Sequence, residues 1–206
     1  MKETDEEYDK RLFTEGMVKC DKRKNEIKFL GSVSEKSADK FLEHFRYYEA
    51  KGSKNLDIVI NNKGGDGYAA HRVVVAINNS NIITRSINTG IVYSAAVPIF
   101  EACKIRTSLP GKKFRVHQTT YWSKETGLQV KLENMDKTQQ KIQKDLEKFE
   151  LRHLSRRIGT TQKKIKEWEQ MEKIWTAEEA LKDGLIDSIL YDYVIQKTKS
   201  PEIIQG

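Results

Sequence analysis

Ala38, Phe41, Leu42, Phe45 and Tyr48 recur at spacings of three and four residues, the period of a helix that buries one face. Ser34-Glu-Lys-Ser37 offers hydroxyls to cap its start, and Lys51-Gly52-Ser53 ends it. On its N-terminal side, Ile27–Val33 alternates as a strand does. On the other side, Leu56–Asn61 is a short β-branched run, expected as a buried strand. It meets the glycine-rich turn Asn62-Lys-Gly64-Gly65-Asp-Gly67. A helix over Ala69–Ile77, a strand over Ile82–Ile87 and a helix over Ser94–Cys103 follow. Lys104–Leu109 and Phe114–His117 read as two further strands around the Pro110-Gly111 turn. Strands alternating with helices predict a layered α/β core.

From Leu128 to Arg157 the pattern changes. Leu128, Leu132, Met135, Ile142, Leu146 and Phe149 follow an a/d spacing, with Gln139 in the missing position. This predicts one helix of about 30 residues, some 45 Å long. So narrow a stripe, flanked by charge, suits packing against a partner rather than burial in a core. Ile158-Gly159 stops the helix. Shorter helices are expected from Thr160 through Trp168 and from Thr176 to Gly184, then a strand-like run over Ile186–Val194. Residues 1–26 read as an N-terminal arm, mobile or folded as a short hairpin. Residues 27–194 form the domain, with the long helix at about 128–157, and 195–206 a loose C-terminal tail.

Composition narrows the function classes. At about 150 residues per domain, 206 residues predict one domain with appendages. Apolar residues are 37% and charged ones 33%, enough to fill a core and exclude wholesale disorder. The 37 basic and 30 acidic side chains leave a net charge of +7. Acids sit between most of the lysines, and no zinc-finger, helix-turn-helix or aromatic-rich RNA-binding pattern occurs, so no nucleic-acid partner is expected. Cys20 and Cys103 are too few for a disulfide framework and lack metal-site spacing, which fits a reducing compartment. The start MKETDEEYDKR carries no apolar signal core. The longest apolar stretch, Gly90–Phe100, is about half of the ~20 residues a membrane span needs. The expectation is a cytoplasmic protein without membrane contact, metal or organic cofactor.

Three features could carry chemistry. Gly64-Gly65 directly follows a strand, where backbone N–H groups can converge and another chain can approach closely. Taken alone, such a pair is usually only a turn. Ser94, in Gly90-Ile-Val-Tyr-Ser94-Ala-Ala, stands between strand and helix. It is either a helix cap or a hydroxyl held where free N–H groups stabilise an oxyanion. His117 ends an apolar strand and can take a proton from a serine on an adjacent strand end. His44, His71 and His153 fall on predicted helices and are expected to face the surface.

These residues resemble, in order, the motifs of the ClpP family, the proteolytic subunit of the Clp protease. Phe29-Leu-Gly-Ser-Val33 is similar to the family's first strand and glycine, and Ile60-Asn-Asn-Lys-Gly-Gly65 to its Ile-Asn-Ser-Pro-Gly-Gly turn. Gly90–Ala96 resembles its Gly-x-Ala-Ser nucleophile segment, and Val116-His117-Gln118 its Ile-His-Gln. Thr176-Ala-Glu-Glu-Ala-Leu-Lys-Asp-Gly-Leu-Ile-Asp187 matches its C-terminal motif, so the likeness spans about 27–190. The resemblance implies repeated ββα units, a fold shared with crotonases, and a protruding handle helix. It makes Ser94 the nucleophile and His117 the general base, with the N–H groups of Gly65 and Ala95 as the oxyanion hole. Glu172, four residues before Thr176, falls where the family has its catalytic aspartate.

The resemblance also implies a homo-oligomer of heptameric rings around a chamber, peptide or protein substrates, and an AAA+ unfoldase partner. Any ATP would be consumed by that partner, since no phosphate-binding Gly-x-x-x-x-Gly-Lys-Ser/Thr stretch is present. The chain differs from the family in lacking proline in 62–65 and after Gln118. It also carries Thr119–Gly127 in place of the glycine-rich strand that lines the family's substrate cleft. A catalytically inert ClpP-like subunit is the alternative. A crotonase-type acyl-CoA enzyme would not need the Ser94–His117 pair, and the Thr176–Asp187 motif speaks against it.

Overall fold

The computed structural model describes residues 16–122 and 129–191. The expected tail at 195–206 lies outside the described residues, as do the first fifteen residues of the arm.

Strand β1 (Met17–Asp21) and β2 (Glu26–Val33) form an antiparallel hairpin. Residues 17–26, expected to belong to an arm, are thus the edge of the sheet, because β1 ladders fully onto β2. Helix α1 (Glu35–Ala50) starts at a capping box: Ser34 accepts the Ser37 N–H and the Ser37 hydroxyl accepts the Ser34 N–H. All five residues of its predicted stripe are buried. Phe41 stacks between Phe29 and Phe45 at 5.5 and 5.7 Å.

Strand β3 (Asn55–Gly65), helix α2 (Gly67–Asn79), strand β4 (Ile83–Tyr93), helix α3 (Ala96–Ala102) and strand β5 (Ile105–Ser108) follow. Strands β2 to β5 run parallel, in that spatial order, with helices between them as the alternating pattern requires. Strand β4 is long enough to serve two partners. Arg85–Asn88 pair with β5, and Ile91–Tyr93 pair with β6 (Lys113–Arg115). The change occurs at Gly90, where any Cβ would lie 2.2 Å from the Asn61 side chain, whose oxygen accepts the Ile91 N–H.

A small hairpin, β7 (Tyr121–Trp122) with β8 (Gln129–Val130), leads to a 3-10 turn at Leu132–Asn134 and to α4 (Lys137–Ile158). The helix expected over 128–157 therefore begins later. Asp136 caps α4 by accepting the Thr138 and Gln139 N–H groups, so the a/d spacing of Leu132 and Met135 belongs to chain outside α4, while Leu128 lies outside the described residues. Helix α5 (Gln162–Gln170), strand β9 (Ile174–Thr176), helix α6 (Ala177–Lys182) and strand β10 (Ser188–Ile189) complete the domain. Strand β9 pairs antiparallel with β6, and β10 parallel with β5. The final strand is shorter than the expected 186–194, and residues beyond 191 lie outside the described ones. No helix among the described residues is long and apolar enough to cross a membrane.

Arg106 ties the C-terminal part to the core. Its guanidinium contacts Glu101 at 2.7 Å and Asp187 at 2.6 Å, and donates to the carbonyls of Arg157 and Gly184. Arg157 in turn donates to the carbonyls of Glu101 and Cys103. Glu101 is wholly buried; burial pushes its carboxyl up, against Arg106 drawing it down, to about 7.

Candidate active site

The parallel pairing of β4 with β6 aligns Tyr93 with Arg115. Ser94 and His117 then follow their strands out of the same end of the sheet. The Ser94 N–H donates to the Arg115 carbonyl at 2.8 Å, which fixes the serine against the histidine-bearing strand. Ser94 has φ +52, a left-handed conformation that a serine rarely adopts. It is not the helix cap: α3 begins after Ala95, with no side-chain cap bond. A sharp turn therefore lifts Ser94 off strand and helix alike.

Gly64 makes that turn possible. Its φ is +87, and a Cβ there would meet the Tyr93 carbonyl at 2.5 Å, Ser94 Cβ at 2.7 Å and Ala95 N at 2.9 Å. Gly65, with φ +145, instead backs onto the Val33 carbonyl at 2.2 Å from such a Cβ. Asn62, wholly buried, stiffens the end of β3 by accepting the Gly64 N–H at 2.8 Å. The Ala95 N–H has no acceptor among the described residues. An unpaired donor directly after a serine is what a developing oxyanion requires.

His117 is part-exposed, and its Nδ1 lies 2.7 Å from the Gln118 carbonyl. A carbonyl only accepts, so Nδ1 carries the proton and Nε2 is left as the basic nitrogen. No hydrogen bond joins Ser94 to His117 among the described residues.

Glu172 comes near by another route. The Val116 N–H donates to the Lys173 carbonyl at 3.1 Å, and Arg115 aligns with Ile174. The segment after α5 thus lies beside the histidine strand. Yet the Glu172 carboxylate is held by Arg115 at 2.6 Å, so the expected contact with His117 is not formed. Glu172 has φ +49, at a helix exit where glycine is the usual residue. Among the described residues, Asn25, Ser94 and Glu172 are the non-glycine residues with positive φ. Two of these three are candidate site residues, and backbone strain gathers at functional sites.

A small cleft of about 50 Å³ lies beside Ala95, between α2, α3 and α4. Ala95, Thr119, His71, Leu146, Glu147 and Glu150 are among the residues that line it. Two of the three histidines expected on the surface are instead packed against neighbouring helices. His71 meets the Phe149 ring edge-on at 4.4 Å, and His153 stacks on Phe149 and contacts the Pro98 carbonyl at 3.0 Å. Periodicity alone missed these contacts because they join α2 and α3 to α4. For the same reason Leu146 and Phe149 of the expected partner stripe are half-buried within the chain, whereas Ile142 is 45% exposed.

The fold is similar to that of a point mutant of ClpP1 from Listeria monocytogenes, with a TM-score of 0.70. The match is 19% identical in sequence and covers 84% of this chain and 94% of the Listeria chain. No curated protein matches the chain by sequence. The family model of the Clp protease matches residues 16–192, a span that contains every described residue. The chain belongs to the Clp protease family.

Proposed function

We propose that the protein is a serine endopeptidase of ClpP type that cleaves peptides or unfolded proteins through an acyl-enzyme. The observation that carries this reading is the junction of β4 and β6, which brings Ser94, in a left-handed turn, to the strand end that bears His117. Nε2 of His117 takes the Ser94 hydroxyl proton as Oγ attacks the scissile carbonyl, then returns it to the leaving amine. Water, activated by the same nitrogen, releases the acyl group. The N–H groups of Ala95 and Gly65 stabilise the oxyanion.

Glu172 completes the triad when it leaves Arg115 for His117. The Arg115–Glu172 pair is exposed, with side-chain accessibilities of 36% and 63%, and such pairs contribute only about 0–1 kcal/mol. Exchange therefore costs little. The working form is a homo-oligomer enclosing the sites in the cytoplasm, fed by a separate AAA+ unfoldase.

A fluorophosphonate probe followed by peptide mapping tests the assignment. The probe should modify Ser94, and Ser94→Ala should lower peptide cleavage by several orders of magnitude. Labelling elsewhere, or undiminished cleavage by the variant, overturns it. A catalytically inert subunit is the second reading, favoured by the engagement of Glu172 with Arg115. It requires that no assembly of the purified chain labels at Ser94.

A further inference from the structure

Strand β4 changes partner in mid-course, and side chains bridge the change. Ile60 of β3 aligns with Asn88 and Asn62 with Val92, so Asn61 alone faces Thr89, Gly90 and Ile91. This bulge carries β4 from β5 to β6, in the way that bulges beside active sites re-aim a strand. Asn88 is the last residue of β4 aligned with β5, opposite Ser108, and its carbonyl accepts the Leu109 N–H at 3.0 Å. Its side chain then spans the gap. Oδ1 accepts the Gly90 N–H at 3.0 Å, and Nδ2 donates to the Lys113 carbonyl at 3.1 Å.

Asn88 is wholly buried within its strand, a place where asparagine is disfavoured and where a polar atom needs a partner. A short planar amide presents a donor and an acceptor at this reach. An ionised aspartate lacks the donor, leucine lacks both, and a serine hydroxyl is shorter. Lys113 opens β6, whose three residues Lys113–Arg115 align with Ile91–Tyr93. So short a strand has few ladder bonds of its own. Asn88 grips its first residue, and the Ser94 N–H grips its last, Arg115, at 2.8 Å. Ser94 and His117 follow these two strands one and two residues further on. A β6 released at Lys113 is free to shift against β4, and the serine and histidine shift with it.

We propose that Asn88 is a positioning residue for the reaction: its amide locks the fork between β5 and β6 and so sets Ser94 against the strand that bears His117. Being buried, Asn88 touches no substrate, and its role rests on the serine-peptidase reading.

Two variants and a control test this. Asn88→Ser keeps a hydroxyl for the Gly90 N–H, a weaker local bond of the same kind, and is too short for Lys113. Asn88→Leu removes both contacts. Thr107→Val is the control, because Thr107 donates a buried hydrogen bond to the Ser86 carbonyl at 2.8 Å, on the β5 side of the fork. Each is compared with the parent in cleavage of a fluorogenic peptide, in the rate of fluorophosphonate labelling at Ser94 and in thermal melting. Both Asn88 variants should lose about a hundredfold in kcat and in labelling rate, as a shift of about 1 Å at the nucleophile does. Their KM should stay within about threefold, the pattern of a lost transition-state effect. Thr107→Val should melt lower yet keep kcat within about threefold of the parent. Asn88 variants that retain kcat, a loss carried by KM instead, or a Thr107→Val that loses as much kcat for the same drop in melting temperature, overturns the positioning role alone. Failure of both Asn88 variants to fold, where Thr107→Val folds, overturns it too, since the amide would then serve folding only. A parent that neither labels at Ser94 nor cleaves the peptide overturns the peptidase reading, and the role of Asn88 with it.

Discussion

The Arg115 guanidinium holds the Glu172 carboxylate at 2.6 Å, while His117, two residues further along the same chain, turns Nδ1 to the Gln118 carbonyl at 2.7 Å. The histidine already has the tautomer that a general base needs, and the carboxylate that would stabilise its imidazolium is engaged elsewhere. Arg115→Met should therefore raise kcat by freeing Glu172. Glu172→Gln should lower it by a factor on the order of 10⁴, as loss of the triad carboxylate does in serine proteases. Arg115→Met should have no effect on top of Glu172→Gln. Steady-state peptide cleavage measures all three. Activity of Glu172→Gln within threefold of the parent would mean that the Gln118 carbonyl orients His117 unaided.

Gly64→Ala tests the turn beneath the nucleophile. The added methyl would lie 2.5 Å from the Tyr93 carbonyl and 2.7 Å from Ser94 Cβ, at φ +87. The left-handed backbone alone costs about 1–3 kcal/mol. Cleavage should fall at least about a hundredfold, because a shift of about 1 Å at the nucleophile is enough for that. Chemical denaturation should report a loss of a few kcal/mol. Unchanged kcat with a folded variant would show that Ser94 does not depend on this packing.

Assembly should depend on what α4 leaves uncovered. Ile142 is 45% exposed near the start of that helix, whereas Leu151 and Leu154 near its end are buried in the chain's own core. Light scattering should give a mass several times 23.9 kDa, and Ile142→Asp should reduce it. A monomer at micromolar concentration before substitution would refute the oligomer.

Stability should fall on both sides of mildly acidic pH. Glu150 and Glu169 are raised from 4.5 to about 7, so their contribution is complete below about pH 4.5 and lost as pH rises through 7. Burial lowers His153 from 6.5 to about 4, although its contact with the Pro98 carbonyl raises it. Its contribution is complete above about pH 6.5 and lost as pH falls through 4. Glu150→Gln removes one alkaline-side contribution, so the variant should melt higher than the parent at about pH 8 and lose that advantage at about pH 5. Equal differences at both pH values would exclude a raised Glu150.

Much of this molecule was legible in local spacing. The α1 stripe, its serine box and the Thr176–Glu179 box at α6 follow from patterns within one or two turns. Ser94 and His117 were legible as strand-end residues, and their adjacency required only that the two strands pair. The long helix was over-read, because a heptad spacing carries on through Leu132 and Met135 while the Asp136 cap interrupts the backbone. His71 and His153 were misjudged since their burial comes from helices distant in sequence. Glu172 was found by its position, but not its engagement with Arg115, which depends on where two side chains turn.

Arg106 sets a condition on synthesis. It sits on β5, yet its carboxylate partner Asp187 is made 81 residues later. Until that residue leaves the ribosome, the guanidinium has Glu101 but not the acid that closes the cluster, and β5 lacks β10 at its side. A nascent chain halted at the end of α4 would expose an unpaired strand edge next to an incompletely matched buried charge. The domain is thus expected to close late, in one step, once Asp187 and β10 have been made.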